Sequence, residues 1–333
     1  MTLTSAVLAQ FLGTSSDIDI EELGNAGGFS GARIWRVGFR KESYALRRWP
    51  GEHPNRARLS FIHTMQTHLV RSGIGCVPRL LPNTEGKTCV RHDDTFWELS
   101  RWMPGEPSFH SQPNEAKLVA AMETLAAMHS ASEELTHWCS IGVSPGWRMR
   151  SELAESSTPR QLAELATMID DSIPQLTEIC RIVISNSVRL LNACRMQVHD
   201  LGLPTTKRFP CLRDIWHDHV LFTGDEVTGI IDFGATQIES PAGDIARLLG
   251  SLVGDDRRAW DFALRAYQSK RQLSPVELAM IPALDIANVT FSGVNWVRWL
   301  YVDRRDFADM SQVETRLRAI AKRQRTTIEL MRI

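Results

Sequence analysis

Three aspartates placed close together, Asp214, Asp232 and Asp244, constrain this chain more than any other feature of it. Asp214 stands where the apolar run beginning at Cys211 gives way to a loop. Residues 220–222 and 227–231 are short apolar pieces on either side of a turn at Gly224-Asp225, which is the pattern of a β pair. Asp232 follows that pair directly, in Asp232-Phe233-Gly234. Beyond Pro241 the apolar residues recur at helical spacing, with Asp244 in the opening turn. A loop, a β pair and a helix therefore carry one carboxylate each, an arrangement suited to holding a metal ion and orienting a hydroxyl.

The remaining chain divides by composition. Residues 1–50 read as β-rich after a short N-terminal helix. Gly24-Asn25-Ala26-Gly27-Gly28-Phe29-Ser30-Gly31 is dense in residues that tolerate positive φ. Strands follow at 34–37 and 43–48, closed by Pro50-Gly51. The spacing predicts a helix over 55–71, with Leu59, Ile62, Gln66 and Leu69 on one stripe, then short strands near 79–81, 88–91 and 95–99. Pro104-Gly105 marks a break. Past it the pattern turns helical, with Leu118, Met122, Leu125 and His129 on one face and a long amphipathic helix over 173–198. The expectation is an α+β chain with a small β-rich unit over 1–101 and a larger, mainly helical unit over 102–333.

Composition excludes some functions. A formal net charge of -1 offers no attraction to nucleic acid or to an anionic membrane. The 6 cysteines form no Cys-x-x-Cys pair, which argues against a zinc ribbon or a redox pair and reads as scattered thiols in a reducing compartment. The N-terminus has no basic segment before its short apolar run, and no stretch reaches the roughly 18 apolar residues of a membrane span. A cytoplasmic protein with neither nucleic-acid nor membrane partners is expected, its oligomeric state left open.

The run Leu212-Arg213-Asp214-Ile215-Trp216-His217-Asp218-His219-Val220-Leu221-Phe222, then Ile231-Asp232-Phe233, then Asp244-Ile245-Ala246, resembles the aminoglycoside phosphotransferase and choline kinase group. The resemblance spans roughly 24–300 and is most specific over 212–247. It implies a bilobal protein-kinase-like fold, with a small antiparallel β-sheet N-lobe and a larger helical C-lobe. The implied activity is ATP-dependent phosphoryl transfer to a hydroxyl of a small molecule, with Mg2+ or alternatively Mn2+. On the match, Asp214 takes the catalytic position, Asp232 and His219 the metal-binding positions, and Asp244 braces the catalytic loop. Gly27, Gly28 and Ser30 lie in a Gly-rich hairpin whose amides can face phosphates. Arg47 takes the place of the family's basic strand residue and can grip phosphate with two parallel hydrogen bonds. Arg48 points the other way along the strand, toward solvent. The segment 96–105 resembles the family's interlobe hinge, so backbone near Ser100 and Trp102 would read an adenine edge. His129 is read as structural.

Three departures accompany the match. Leu212-Arg213 stands where the family has His-Gly, so the loop brace must come from elsewhere. His219 replaces an Asn, although Mg2+ prefers hard oxygen ligands and imidazole suits softer metals. The helix over 55–71 contains no Asp or Glu, where the family places a Glu beside its basic strand residue, leaving Gln66 or His63 to orient Arg47. These departures keep open a nucleotide-binding scaffold without turnover. His217-Asp218-His219, if it formed a strand, would put two imidazoles on one face, as in a metal-dependent hydrolase. Acceptor-pocket candidates in the helical part are Asp285, Asn288, Trp296 and Trp299.

Overall fold

The computed structural model describes residues 3–14, 16–25, 31–307 and 309–333. Gly27, Gly28 and Ser30 lie outside the described residues. The elements begin with α1 (Leu3–Leu12), β1 (Asp19–Gly24), β2 (Arg33–Phe39), β3 (Glu42–Arg48) and α2 (Arg56–Arg71). Then come β4 (Leu80–Leu81), β5 (Val90–His92), β6 (Thr95–Arg101), α3 (Glu115–Ser132) and β7 (Ser140–Val143). The middle of the chain forms α4 (Pro145–Ser156), α5 (Pro159–Thr167), α6 (Pro174–Leu201) and β8 (Thr205–Cys211). Last are β9 (Val220–Thr223), β10 (Glu226–Ile230), β11 (Gln237–Glu239), α7 (Ala242–Leu252), α8 (Arg257–Lys270), α9 (Pro275–Val297) and α10 (Met310–Met331).

Two compact units divide the chain. One joins Met1–Thr124 to Asp218–Gly234, so the hairpin leading to Asp232 belongs with the N-terminal sheet; the other contains Leu125–His217 and Ala235–Ile333. In the first unit the sheet runs β1-β2-β3-β6-β4, with β5 also on β6, and every pairing is antiparallel. Side chains alternate between its faces. Trp35, Val37, Tyr44, Leu46, Trp97 and Leu99 form a core with Val7, Leu8 and Phe11 of α1. Each such fully buried aliphatic or aromatic side chain contributes about 1.5–3 kcal/mol. The opposite face carries Ile34, Ala45, Arg47, Glu98 and Ser100, which line a cavity instead. Arg48 is not turned to solvent: its guanidinium lies over the Trp97 ring at 5.6 Å, and its Nε donates to Thr95 Oγ1.

The helix α2 starts on Asn55, whose side chain accepts from Arg58 N, and buries Leu59, Ile62, Gln66 and Leu69 on the expected stripe, with Met65 beside them. Beyond β6 the Pro104-Gly105 break is tied to the β9–β10 hairpin. Glu106 and Phe222 exchange backbone hydrogen bonds, and Gly105 has φ +91 with Thr228 Oγ1 only 2.4 Å from where a Cβ would stand. Only glycine fits so close an approach at that φ.

In the second unit β8 lies between β7 and β11, and α6 packs along α9 and α10. At Gly293 a Cβ would fall 2.0 Å from Val183 Cγ1, so glycine sets how closely α9 approaches α6. In this seam Ser187 Oγ donates to Thr290 O and accepts from Gln324 Nε2. Among the described residues no helix is long and apolar enough to cross a membrane.

Candidate active site

The cavity on the inner face of the first unit's sheet, about 280 Å3, gathers residues far apart in sequence. Arg47, Ser100, Trp102 and Asp232, each singled out from the sequence, all line it. Its apolar walls include Ile34, Ala45, Met103, Leu221 and Ile231. Arg47 Nη1 donates to Asp232 Oδ1 at 3.1 Å. On the neighbouring strand Glu98 stands directly opposite Arg47 in register, with its Oε1 4.0 Å from Arg47 Nε. Opposite charges facing each other across two strands stabilise the pair.

Glu98 is the centre of a buried network. Its Oε2 accepts from Trp49 Nε1 at 2.8 Å and is bonded to His63 Nε2 at 2.8 Å, while His63 Nδ1 meets Thr88 Oγ1 at 2.7 Å. Burial alone would raise the Glu98 pKa; His63, Arg47 and Trp49 outweigh it and hold the carboxyl below its ordinary value. The guanidinium of Arg47 also lies 4.9 Å over the Trp49 ring. So α2, lacking any acid, reaches Arg47 through His63 and a carboxylate supplied by β6. Gln66 takes no part, since its Nε2 donates to Pro78 O.

Asp232 follows β10 with φ +63, an uncommon conformation for a residue other than glycine. Burial works to raise its pKa, but Arg47 and then His219 prevail, and the carboxyl lies below its usual value. His219 Nε2 is 3.8 Å from Asp232 Oδ2, and its carbonyl accepts from Ile231 N. The adjacent Gly234 is held by Arg58 Nη2 on its carbonyl and lies against the Trp49 ring. Asp232 offers the kind of hard oxygen donor that Mg2+ takes, and His219 an imidazole, a donor that transition metals accept more readily than Mg2+ does. His217–His219 forms a 3-10 turn rather than a strand, so the shared-face arrangement of two histidines does not arise. Ser100 pairs with Ala45 on one side and Leu80 on the other within the sheet, and Trp102 N, just past the end of β6, donates to Ser43 O.

The second unit presents Asp214 on a loop held from beneath. Asp244, in the first turn of α7, accepts from Leu212 N at 2.7 Å and from Arg213 N at 2.6 Å. His129 Nε2 meets Asp244 Oδ2 at 3.2 Å, and His129 Nδ1 meets the Tyr267 hydroxyl at 2.7 Å. Burial lowers the His129 pKa and raises that of Tyr267. A neutral imidazole satisfies both contacts, with Nε2–H donating to Asp244 and Tyr267 donating to Nδ1. This is the brace that Leu212-Arg213 could not supply. Arg213 is bent to φ +66 immediately before Asp214, and Arg247 donates to Asp214 Oδ1 from Nη2 at 2.9 Å and Nε at 3.2 Å. Backbone strain of this kind, about 1–3 kcal/mol, persists where surrounding contacts over-determine it.

His129, Cys211 and Asp244 form a buried trio of metal-ligating residue types, but both His129 nitrogens are already hydrogen-bonded. Asp285 is buried against Arg323 at 2.8 Å, and burial raises its pKa to about 6. Trp296 packs edge-on to Trp299, with ring centroids 5.2 Å apart. Asn288 accepts from Arg150. The functional residues not foreseen are Glu98, Trp49, Arg58 and Arg247. For Glu98 there was a signal: a lone carboxylate between Trp97 and Leu99 in a strand, with an arginine on a neighbouring one.

Residues 22–278 match the model of the phosphotransferase enzyme family. The chain is 27% identical over 251 residues to a homoserine kinase of Rhodopseudomonas palustris, covering 73% of this chain and 69% of that protein. Among solved structures, a microcompartment-associated aminopropanol kinase superposes with a TM-score of 0.62 at 13% identity, covering 97% of this chain and 94% of that one. A spectinomycin phosphotransferase, solved in complex with ADP and spectinomycin, superposes with a TM-score of 0.59 at 12% identity, covering 92% of each chain. The fold is thus that of the protein-kinase-like small-molecule kinases. This chain belongs to the phosphotransferase enzyme family and is a kinase acting on the hydroxyl of a small molecule.

Proposed function

We propose that the chain transfers the γ-phosphoryl group of ATP to the hydroxyl of a compact amino alcohol or hydroxy amino acid, of the size of homoserine, in the cytoplasm. The observation that carries this reading is the Arg47–Asp232 pair, backed by Glu98, on the wall of an apolar cavity. Phosphoryl transfer asks the protein mainly for positioning and for charges placed around the phosphates. Arg47 holds phosphate oxygens, and Glu98 with Trp49 fixes the direction of its guanidinium. The purine lies between the apolar walls, its edge read by backbone beyond Trp102, at Met103. Gly27, Gly28 and Ser30 supply amides to the phosphates. Asp214 orients the acceptor hydroxyl and takes its proton. Asp232, with His219, holds the metal, which when bound neutralises phosphate charge.

A carboxylate beside Arg47, supplied by Glu98 of β6, supports turnover over a scaffold that only binds nucleotide. The homoserine kinase relative supports an acceptor of this size. All 6 cysteines are unpaired, in keeping with a reducing compartment.

Thermal unfolding with ATP, in Mg2+ and Mn2+ separately, tests the nucleotide site in the wild type and in Asp232→Ala. At about 100 times its dissociation constant, ATP stabilises the native state by roughly 2.7 kcal/mol. A metal-dependent rise in Tm that disappears in Asp232→Ala supports the assignment. A rise equally large in that variant, or none with either metal, removes it.

A further inference from the structure

Around Asp214 the second unit gathers more positive charge than phosphoryl transfer by one aspartate requires. Arg247 grips Asp214 Oδ1 from Nη2 and Nε. Arg213 places its Nε 3.5 Å from Oε1 of the buried Glu239. Arg150 on α4 belongs to the same cluster: a Cβ on Gly146 would lie 3.0 Å from Glu239 Oε1 and 3.3 Å from Arg150 Nη1. Arg150 is set in place by α9 and α4, with Nε and Nη2 on Asn288 Oδ1 and Nη1 on Gly146 O. Burial, and then the neighbouring Arg213 and Arg247, push the Arg150 pKa down to about 10, with Glu239 opposing them. Arg213 and Arg247 each meet a carboxylate, Glu239 and Asp214, whereas Arg150 makes its hydrogen bonds to the neutral oxygens of Asn288 and Gly146. In the same cluster the buried Asn288 Nδ2, a donor, has no hydrogen-bond partner.

We infer that the acceptor alcohol carries a carboxylate, bound beside Asp214 by Arg150, Arg213 and Arg247. A monoanion would give Arg150 the charged partner that its amide acceptors do not, and a planar carboxylate matches the guanidinium fork. A polycationic acceptor would meet like charge here. Arg247 couples recognition to chemistry: an incoming carboxylate competes with Asp214 for this guanidinium, leaving Asp214 Oδ1 to accept the acceptor's hydroxyl. The inference rests on the small-molecule kinase reading and narrows its substrate class.

Calorimetric titration of the full chain with Mg2+ and ADP tests it, using 4-hydroxybutyrate, L-homoserine and 3-aminopropan-1-ol as probes. The first two carry a carboxylate and the third does not. Both carboxylated alcohols are expected to bind at least about tenfold tighter than the amine. Arg247→Gln and Arg150→Gln should each shrink that preference toward unity, and Arg247→Lys, which keeps the charge but not the fork, should restore only part of it. Tighter binding of 3-aminopropan-1-ol, no binding of either carboxylate, or a preference unchanged in both glutamine variants overturns the inference. The ADP-dependent rise in Tm, read on the same samples, shows that each variant is folded. It also separates the two readings: its absence in the wild type defeats the kinase reading, whereas its presence without a carboxylate preference defeats only this inference.

Discussion

Replacing Glu98 by Gln keeps the shape of the side chain and removes its charge. The carboxylate is nearly enclosed, its side chain 11% exposed, and it serves Trp49, His63 and Arg47 together. In the Glu98→Gln variant one oxygen can still accept from Trp49 and His63, but each bond changes from charge-assisted to neutral, a loss of about 1 kcal/mol apiece. The amide nitrogen then faces the Arg47 guanidinium, donor against donor. At 4.0 Å the lost attraction is about 4 kcal/mol at an effective dielectric of 20, part of which is offset because no charge need be buried. The net destabilisation expected in urea unfolding at pH 7 is about 2–4 kcal/mol. The Glu98 carboxyl is held below its ordinary value of 4.5, so its contribution is complete above that pH and fades as the pH falls through its folded value. The gap between wild type and Glu98→Gln should therefore narrow below about pH 4.5. In steady-state assays the loosened Arg47 should raise KM for ATP by about tenfold or more. A variant within about 0.5 kcal/mol of wild type at pH 7, with unchanged KM for ATP, would refute the idea that Glu98 stands in for the helix acid.

Further outcomes follow from the same geometry. Asp244→Asn leaves an amide nitrogen facing one of the Leu212 and Arg213 amides, and urea unfolding should show a loss of about 3 kcal/mol, with a loss of turnover. Gly105→Ala drives a Cβ into Thr228 Oγ1 and the Phe222 carbonyl at φ +91, so Tm should fall even though the change is one methyl group; an unchanged Tm would show that the hinge relaxes freely. His219→Asn exchanges an imidazole for a hard oxygen donor, and the Mg2+ concentration for half-maximal activity should drop relative to that for Mn2+. An unaltered ratio of the two would remove His219 from the metal site.

The aspartates were legible in the sequence because each is defined locally, by a strand end, a hairpin and a helix start. Arg47 was legible for a related reason: alternation along one strand separates it from Leu46 and Arg48. Where Arg48 goes was not, because its partner ring, Trp97, comes from β6. Glu98 was hidden by the same non-locality. Its position opposite Arg47 depends on β6 lying next to β3, with α2, β4 and β5 intervening in sequence. Asp285 and Asn288 share one helix, and helical periodicity cannot tell a carboxylate neutralised by Arg323 from a residue facing Arg150. The histidines at 217 and 219 would share a face only in a strand, whereas the chain there makes a tight turn before β9. Asp244 was expected to brace the loop before Asp214, and it takes both loop amides; the neutral His129 and Tyr267 that orient it come from α3 and α8, beyond the reach of any local pattern.

The central claim is tested most directly by following ATP, Mg2+ and a hydroxyl acceptor such as L-homoserine by phosphorus NMR, with wild type and Asp214→Asn side by side. A phosphomonoester signal should grow with ADP in the wild type and slow by about 10^2–10^4-fold in the variant, the range for loss of a general base, while ATP still raises the variant's Tm. Phosphomonoester formed equally fast by Asp214→Asn, or ATP consumed by the wild type with inorganic phosphate as the sole product across a panel of small alcohols, would contradict it.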